Sequence, residues 1–150
     1  TAVADRFQRE LALLVPGLMS DGEQHETLWR NIQEFTPAFL ASQPDGAVAR
    51  VSCTLKETET VMQSFDGPAV ARAGSGVCYG YWDQAEAAGE WVPGAAARGW
   101  KAVIEFAPEA RKKQLELWPA PGADFALMQR VKGLFDPGNV LNRGRLYGRI

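Results

Sequence analysis

One stretch of this 150-residue chain limits its fold more than any other, because the spacing of apolar residues switches there between strand and helix periods. Ala47, Ala49 and Val51 alternate with polar neighbours, as in a strand with one buried face. The predicted elements are, in order, a strand (47–55), a helix (56–65), two strands (69–73 and 77–82), a helical segment that opens at 83, and a strand (100–107). This order predicts a split βαβ, or ferredoxin-like, α+β fold, in which an antiparallel sheet carries two helices on one face.

Glycines and a proline inside this stretch predict two local features. Gly74-Ser75-Gly76 lies between two strands and favours a hairpin turn. Gly89, Pro93 and Gly94 predict that the helical segment after residue 83 is interrupted, and that residues 85–99 are the most mobile part of the domain.

Flanking segments have helical spacing. The predicted flanking helices cover residues 5–14, a stretch that follows the capping box Ser20-x-x-Glu23, and residues 124–135. A chain of 150 residues suffices for one domain and is short for two. We therefore expect a single domain over residues 1–150, a ferredoxin-like sheet with flanking terminal helices.

Composition excludes several classes of function. A net charge of −2 argues against general nucleic-acid binding. No apolar run reaches the ~18–20 residues that span a bilayer, and no signal peptide is recognisable, which together favour the cytoplasm. One histidine and two cysteines, Cys53 and Cys78, are too few ligands for a zinc site, and no metal site is expected. Both cysteines fall in strand-like segments as small apolar residues; a disulfide between them is left open.

Turn residues and polar donors are concentrated at the carboxyl end. Asp136-Pro137-Gly138-Asn139 is strong turn chemistry after a helix. Asn142-Arg143-Gly144-Arg145 then presents an amide and two guanidinium groups around a glycine, which suits close approach by an anionic or heteroaromatic group. The sequence from Phe135 to Leu146 resembles the carboxyl-terminal signature of FAD-linked oxidases of the vanillyl-alcohol-oxidase type, a family that includes the FAD-binding subunit of glycolate oxidase.

The same resemblance extends upstream, through the strand-to-proline passage of residues 99–108 and through Leu117-Trp118. It implies the cap, or substrate, domain at the carboxyl end of a larger flavoprotein that oxidises a 2-hydroxy acid. The implied partners are an amino-terminal FAD-binding domain and other oxidase subunits, through which the chain could associate peripherally with a membrane. Whether this chain is itself an enzyme stays open, and activity of the chain alone is not expected.

Two groups of residues are candidates for binding. The resemblance implies that Asn142, Arg143 and Arg145 contact the flavin in the intact protein, where their donors favour negative charge on the ring; the alternative is a solvated tail. Arg50 and Arg72 lie on predicted strands and suit the carboxylate of a 2-hydroxy acid. For these two, an exposed or salt-bridged strand arginine is the competing interpretation.

Neither a catalytic base nor a phosphate-binding loop can be assigned. His25 lies among charged residues near a helix start, as a solvated histidine does. The Gly74-Ser75-Gly76 cluster does not open a helix, whereas phosphate is bound by the N–H groups of a helix start. FAD is therefore expected to be held mainly by a domain absent from this chain. The alternative function is a stand-alone ferredoxin-like module for ligand binding or oligomerisation.

Overall fold

The computed structural model describes residues 23–72, 74–145 and 147. The helix predicted over residues 5–14 and the capping residue Ser20 lie outside this part of the chain. The chain divides into two units at Ala38. The first contains helix α1 (Glu23–Gln33) and the start of helix α2 (Phe35–Ser42), and in α1 the rings of His25 and Trp29 meet edge to face.

The second unit is built around a four-stranded antiparallel sheet. Its strands are β1 (Ala47–Ser52), β2 (Ala69–Arg72), β3 (Val77–Trp82) and β4 (Lys101–Phe106), in the spatial order β2-β3-β1-β4. Helices α3 (Thr58–Gln63) and α4 (Ala85–Ala97) connect β1 to β2 and β3 to β4. The predicted α+β class and ferredoxin-like order are confirmed.

The main hydrophobic cluster lies between the sheet and these two helices. Small residues Ala49, Gly80 and Ala69 face one another across three neighbouring strands, which leaves room above them for large rings. The Phe65 ring packs over Gly80, where an added Cβ would lie 2.4 Å from Phe65 Cε1. Trp82 and Trp91 pack on Phe65 with ring centroids 5.6 and 4.8 Å away. The helix-covered face therefore depends on glycine at position 80.

Helix α4 is continuous, so the predicted interruption at Gly89, Pro93 and Gly94 is wrong. Ala85, Ala88, Val92 and Ala95 recur at helical spacing and are almost completely buried against the sheet. The Trp91 indole also donates a hydrogen bond of 3.1 Å to the Ser64 carbonyl after α3. Tertiary packing thus outweighs the local helix-breaking residues.

The chain then returns along β4 and ends in a last helix. A one-turn helix, α5 (Glu109–Lys112), follows Pro108, and the Ile104 N–H of β4 donates a 2.9 Å hydrogen bond to the Leu117 carbonyl. Helix α6 (Phe125–Phe135) begins after Asp124 and contains no buried residue. Large apolar side chains on and after α6 are exposed: Leu127, Val131, Leu134, Phe135, Val140 and Leu141.

Candidate functional site

The carboxyl-terminal segment after α6, residues 136–145, is organised by one buried carboxylate. Asp136 is 7% exposed and is the one buried charged residue in the described part of the chain. It accepts hydrogen bonds from the N–H groups of Val140 and Leu141, each at 2.9 Å, and from the Lys132 ammonium at 2.5 Å. Lys132 also donates to the Leu141 carbonyl. One ion pair therefore folds the segment back onto the last turn of α6.

These contacts set the charge state of Asp136. The hydrogen bond from Lys132, reinforced by the two backbone N–H groups, lowers the pKa of Asp136 from 3.8 to about 2. The carboxylate is therefore ionised at neutral pH and bonds to the turn as an anion.

Backbone conformation in this segment matches its unusual residues. Asn139 and Asn142 have φ values of 46° and 47°, and Gly144 has 63°. This left-handed region suits glycine and, among other residues, asparagine best. The Arg145 N–H closes a turn on the Asn142 carbonyl at 3.2 Å. The sequence Asn142-Arg143-Gly144-Arg145 is thus a defined backbone turn.

Two of the three predicted flavin-contacting residues line one cavity. Asn142 and Arg145 border a cavity of about 610 Å³ together with Trp118 and Phe135. Among the described residues, neither side chain has a hydrogen-bond or ion-pair partner. Arg143 differs, because its Nε donates a 2.5 Å hydrogen bond to the Asn139 carbonyl and so stabilises the turn.

The predicted substrate arginines lie on the same face of the sheet, opposite α3 and α4, on two strands that β3 separates. Arg50 is directly opposite Tyr79 in the β1–β3 register, and the Arg72 guanidinium lies 5.4 Å from the centre of the Tyr79 ring. Arg50 Nε is also 3.6 Å from the Glu105 carboxylate, with both side chains 40% exposed. Arg72 is therefore directed to β3 and Arg50 is paired at the surface with a residue of β4, on the other side of β1.

The glycine cluster at 74–76 is a strand connection. Gly76 has φ of +63°, and an added Cβ would lie 2.2 Å from the Cys53 carbonyl oxygen. The Cys53 N–H in turn donates to the Gly76 carbonyl at 2.9 Å. Close packing of β3 on the end of β1 therefore explains this glycine. A phosphate cradle at a helix start is absent from this cluster.

The cysteines lie near one another, on the core side of the sheet. Cys78 is fully buried, and burial together with the neighbouring Cys53 raises the pKa of its thiol to about 11. Both are free thiols. In the described ranges no three histidine, cysteine or acidic side chains are grouped as a metal site would need.

Two contributors to the site were not predicted from the sequence. Lys132 holds Asp136, and the i, i+4 spacing of an amine and a carboxylate at a helix end was the available signal. Trp118 forms part of the cavity wall beside Asn142 and Arg145, and its position depends on the return of the chain along β4.

One region of the chain, from the end of α4 through the terminal segment, resembles a known family. Residues 95–146 match the family model of FAD linked oxidases, C-terminal domain. The match supports an FAD-linked oxidase C-terminal domain, and the mixed helices and antiparallel sheet are consistent with that assignment. No curated protein and no solved structure matches the chain. Within the described residues, no helix is both long enough and apolar enough to cross a membrane.

Proposed function

We propose that this chain is the carboxyl-terminal cap domain of an FAD-dependent oxidoreductase that resembles the FAD-binding subunit of glycolate oxidase and acts on a 2-hydroxy acid. The observation that carries the proposal is the terminal turn. Asn142 and Arg145 face a cavity with free donors, in a region that matches the C-terminal domain of FAD-linked oxidases. In this role the domain covers the flavin and shapes the substrate pocket, and residues 1–150 act as one domain of the parent protein.

The donor set fits the ring of FAD better than its pyrophosphate. An amide and a guanidinium can bond to the carbonyl oxygens and ring nitrogens of a flavin pyrimidine. The Gly74-Ser75-Gly76 turn supplies no matching site for phosphate, so the amino-terminal domain of the parent holds that part of FAD. When bound, the flavin would accept hydride from the substrate. Arg145 would favour the negative charge that this transfer places on the ring. Arg143 would act by holding the turn rather than by contacting the ring.

Substrate recognition is assigned to Arg50 and Arg72. Both lie on the sheet face opposite α3 and α4, where Arg50 is opposite Tyr79 in register and the Arg72 guanidinium lies over the Tyr79 ring, and a bidentate contact to a carboxylate is their strongest available interaction. Binding to Arg50 would compete with its exposed contact to Glu105, which is weak enough to be displaced. These arginines would orient the acid without taking part in proton transfer.

The exposed apolar side chains of α6 are assigned to the contact with the parent's FAD-binding domain. Leu134 and Phe135 are 78% and 83% exposed, and Leu141 beside them is 62% exposed. A soluble domain rarely leaves such a cluster in water, and a C-terminal domain implies a preceding one that can cover it. Other oxidase subunits are the further partners, through which a cytoplasmic enzyme could sit at a membrane surface.

The test uses the parent protein with both domains and the isolated 150-residue chain. We expect the two-domain protein to bind FAD and its flavin absorbance to bleach when glycolate is added without oxygen. The isolated chain should show no appreciable FAD binding in a fluorescence titration. Asn142→Gly keeps the left-handed backbone and removes the amide, so it should slow bleaching at least tenfold while FAD stays bound.

Two results would contradict the proposal. Bleaching at the wild-type rate in both Asn142→Gly and Arg145→Gln would remove the terminal turn from the flavin site. Tight stoichiometric binding of FAD to the isolated chain would mean that the phosphate site lies within it. A folded chain that forms stable oligomers and does not associate with the FAD-binding domain would favour the stand-alone module instead.

A further inference from the structure

A second cavity, of about 690 Å³, shares Trp118 and Arg145 with the one beside Asn142. Its apolar wall comes from α4 and from the return along β4, through Val92, Leu115 and Leu117. This volume falls in the range of ligand-binding sites, about 300–1,000 Å³. The cavity is therefore large enough for a small organic molecule.

Aromatic rings pack on one another along the wall of this cavity. The Tyr147 ring meets Trp118 edge to face at 5.8 Å and Phe125 at 5.5 Å. Pro119 and Pro121 also line it and restrict the backbone of the link. Such an aromatic and proline-rich wall suits a flat apolar group and changes shape little on binding.

Charge at the cavity favours an anion. Lys112, Arg145 and Glu116 line it, two cations against one carboxylate. Lys112 is 3.3 Å from the Glu109 carboxylate one helical turn away. The Arg145 side chain, by contrast, has no hydrogen-bond or ion-pair partner anywhere in the described chain. A carboxylate would give this guanidinium a bidentate partner beside an apolar wall.

We propose that this cavity binds a small monocarboxylic acid with an apolar, preferably aromatic, body. The carboxylate pairs with Arg145 and the body packs between Trp118 and the side chains of Val92 and Leu115. This binding requires no flavin, so it can be measured on the isolated chain. It uses the same Arg145 guanidinium as the proposed flavin contact, and the two ligands would therefore compete for that side chain.

The test is a titration of the isolated 150-residue chain with 3-phenylpropionate and with its neutral amide. Binding is read from the indole N–H signal of Trp118 in NMR spectra, assigned with Trp118→Phe. We expect saturable binding with the acid at least tenfold tighter than the amide, equivalent to about 1.4 kcal/mol. Arg145→Gln should abolish this preference, and Arg145→Lys should restore part of it.

Two matched variants separate the cavity from general effects of charge or bulk. Arg130→Gln removes the same charge from an exposed position that does not line the cavity and should leave affinity within about twofold, a change of about 0.4 kcal/mol. Ala96→Phe fills the cavity and should block binding, whereas Ala97→Phe on the exposed side of α4 should not. Equal affinity for acid and amide, no saturable binding, or binding unchanged by Ala96→Phe would each overturn the proposal.

Discussion

Replacing Gly80 by alanine is the most direct test of how the core fixes the sheet. The new Cβ would lie 2.4 Å from Phe65 Cε1 and 2.8 Å from Trp82 Cη2, whereas carbon atoms normally rest about 3.5–4.0 Å apart. The Phe65 ring must therefore move by about 1 Å within a packed aromatic cluster. Overpacking of this kind costs about 2 kcal/mol, and the lower backbone freedom of alanine returns about 0.5 kcal/mol.

The net expected loss is about 1.5 kcal/mol of unfolding free energy. At about 4 °C per kcal/mol for a chain of this size, the Tm should fall by about 6 °C. Urea unfolding followed by tryptophan fluorescence gives the free energy, and near-UV circular dichroism reports the rearranged rings. Gly74→Ala is the matched control, since a Cβ there meets nothing within 4 Å and stability should change by less than about 0.5 kcal/mol.

A double variant decides whether the Phe65 ring is the cause. In a Phe65→Leu background the ring contact is gone and the contact with Trp82 Cη2 at 2.8 Å remains, so Gly80→Ala should then cost less than in the wild-type chain but not nothing. If Gly80→Ala leaves Tm and aromatic signals unchanged, or costs the same with leucine at 65, the packing argument is refuted. The result also bears on function, because a one-residue slip of β3 would turn Tyr79 away from Arg50 and toward the helices.

Three further predictions concern single positions. Gly94→Ala, in open space on α4, should raise the free energy of unfolding by about 0.5–1 kcal/mol, whereas Gly99→Ala, at φ +83°, should lower it by about 1 kcal/mol; urea unfolding measures both. Because the pKa of Asp136 is lowered in the folded chain, its stabilising effect is complete above the ordinary value of 3.8 and is lost as the pH falls through about 2. The NMR chemical shift of the Leu141 amide, followed against pH, should therefore change with a midpoint near pH 2. A midpoint at pH 3.8 would contradict the contact between Lys132 and Asp136. Arg50→Gln should change unfolding by less than about 0.5 kcal/mol, because its contact with Glu105 is exposed; a larger loss would mean a structural role.

The sheet was predictable because alternation and turn residues agree along it. The exact ends of the strands were not predictable, because they depend on local hydrogen bonds. β1 stops at Ser52 rather than at Leu55 because the Thr54 N–H and hydroxyl both donate to the Glu57 carboxylate and start the turn into α3. Side-chain capping of this kind competes with strand pairing over a few residues. It does not change the spacing of apolar residues, and so the sequence pattern does not show it.

Helix α4 shows where local sequence rules fail. Gly89, Pro93 and Gly94 each disfavour helix, yet the apolar stripe from Ala85 to Ala95 gains more from burial against the sheet than they cost. Gly89 also has a packing role, because an added Cβ would lie 2.7 Å from Leu115 Cδ2. Gly89 therefore predicts a helix break from sequence alone, whereas in the folded chain it allows Leu115 to pack closely on α4.

For the candidate site, the sequence identified the polar residues of the terminal turn. It did not show which of them stabilise the turn and which are left to bind a ligand. That difference follows from which polar groups are already bonded. Asp136, Lys132 and Arg143 are engaged within the turn, whereas the Asn142 and Arg145 side chains have no partner within the described residues. A donor that is left unbonded can bind a ligand without first breaking a contact within the protein. The engaged residues should therefore affect stability first, and the unbonded pair should affect binding with little change in stability.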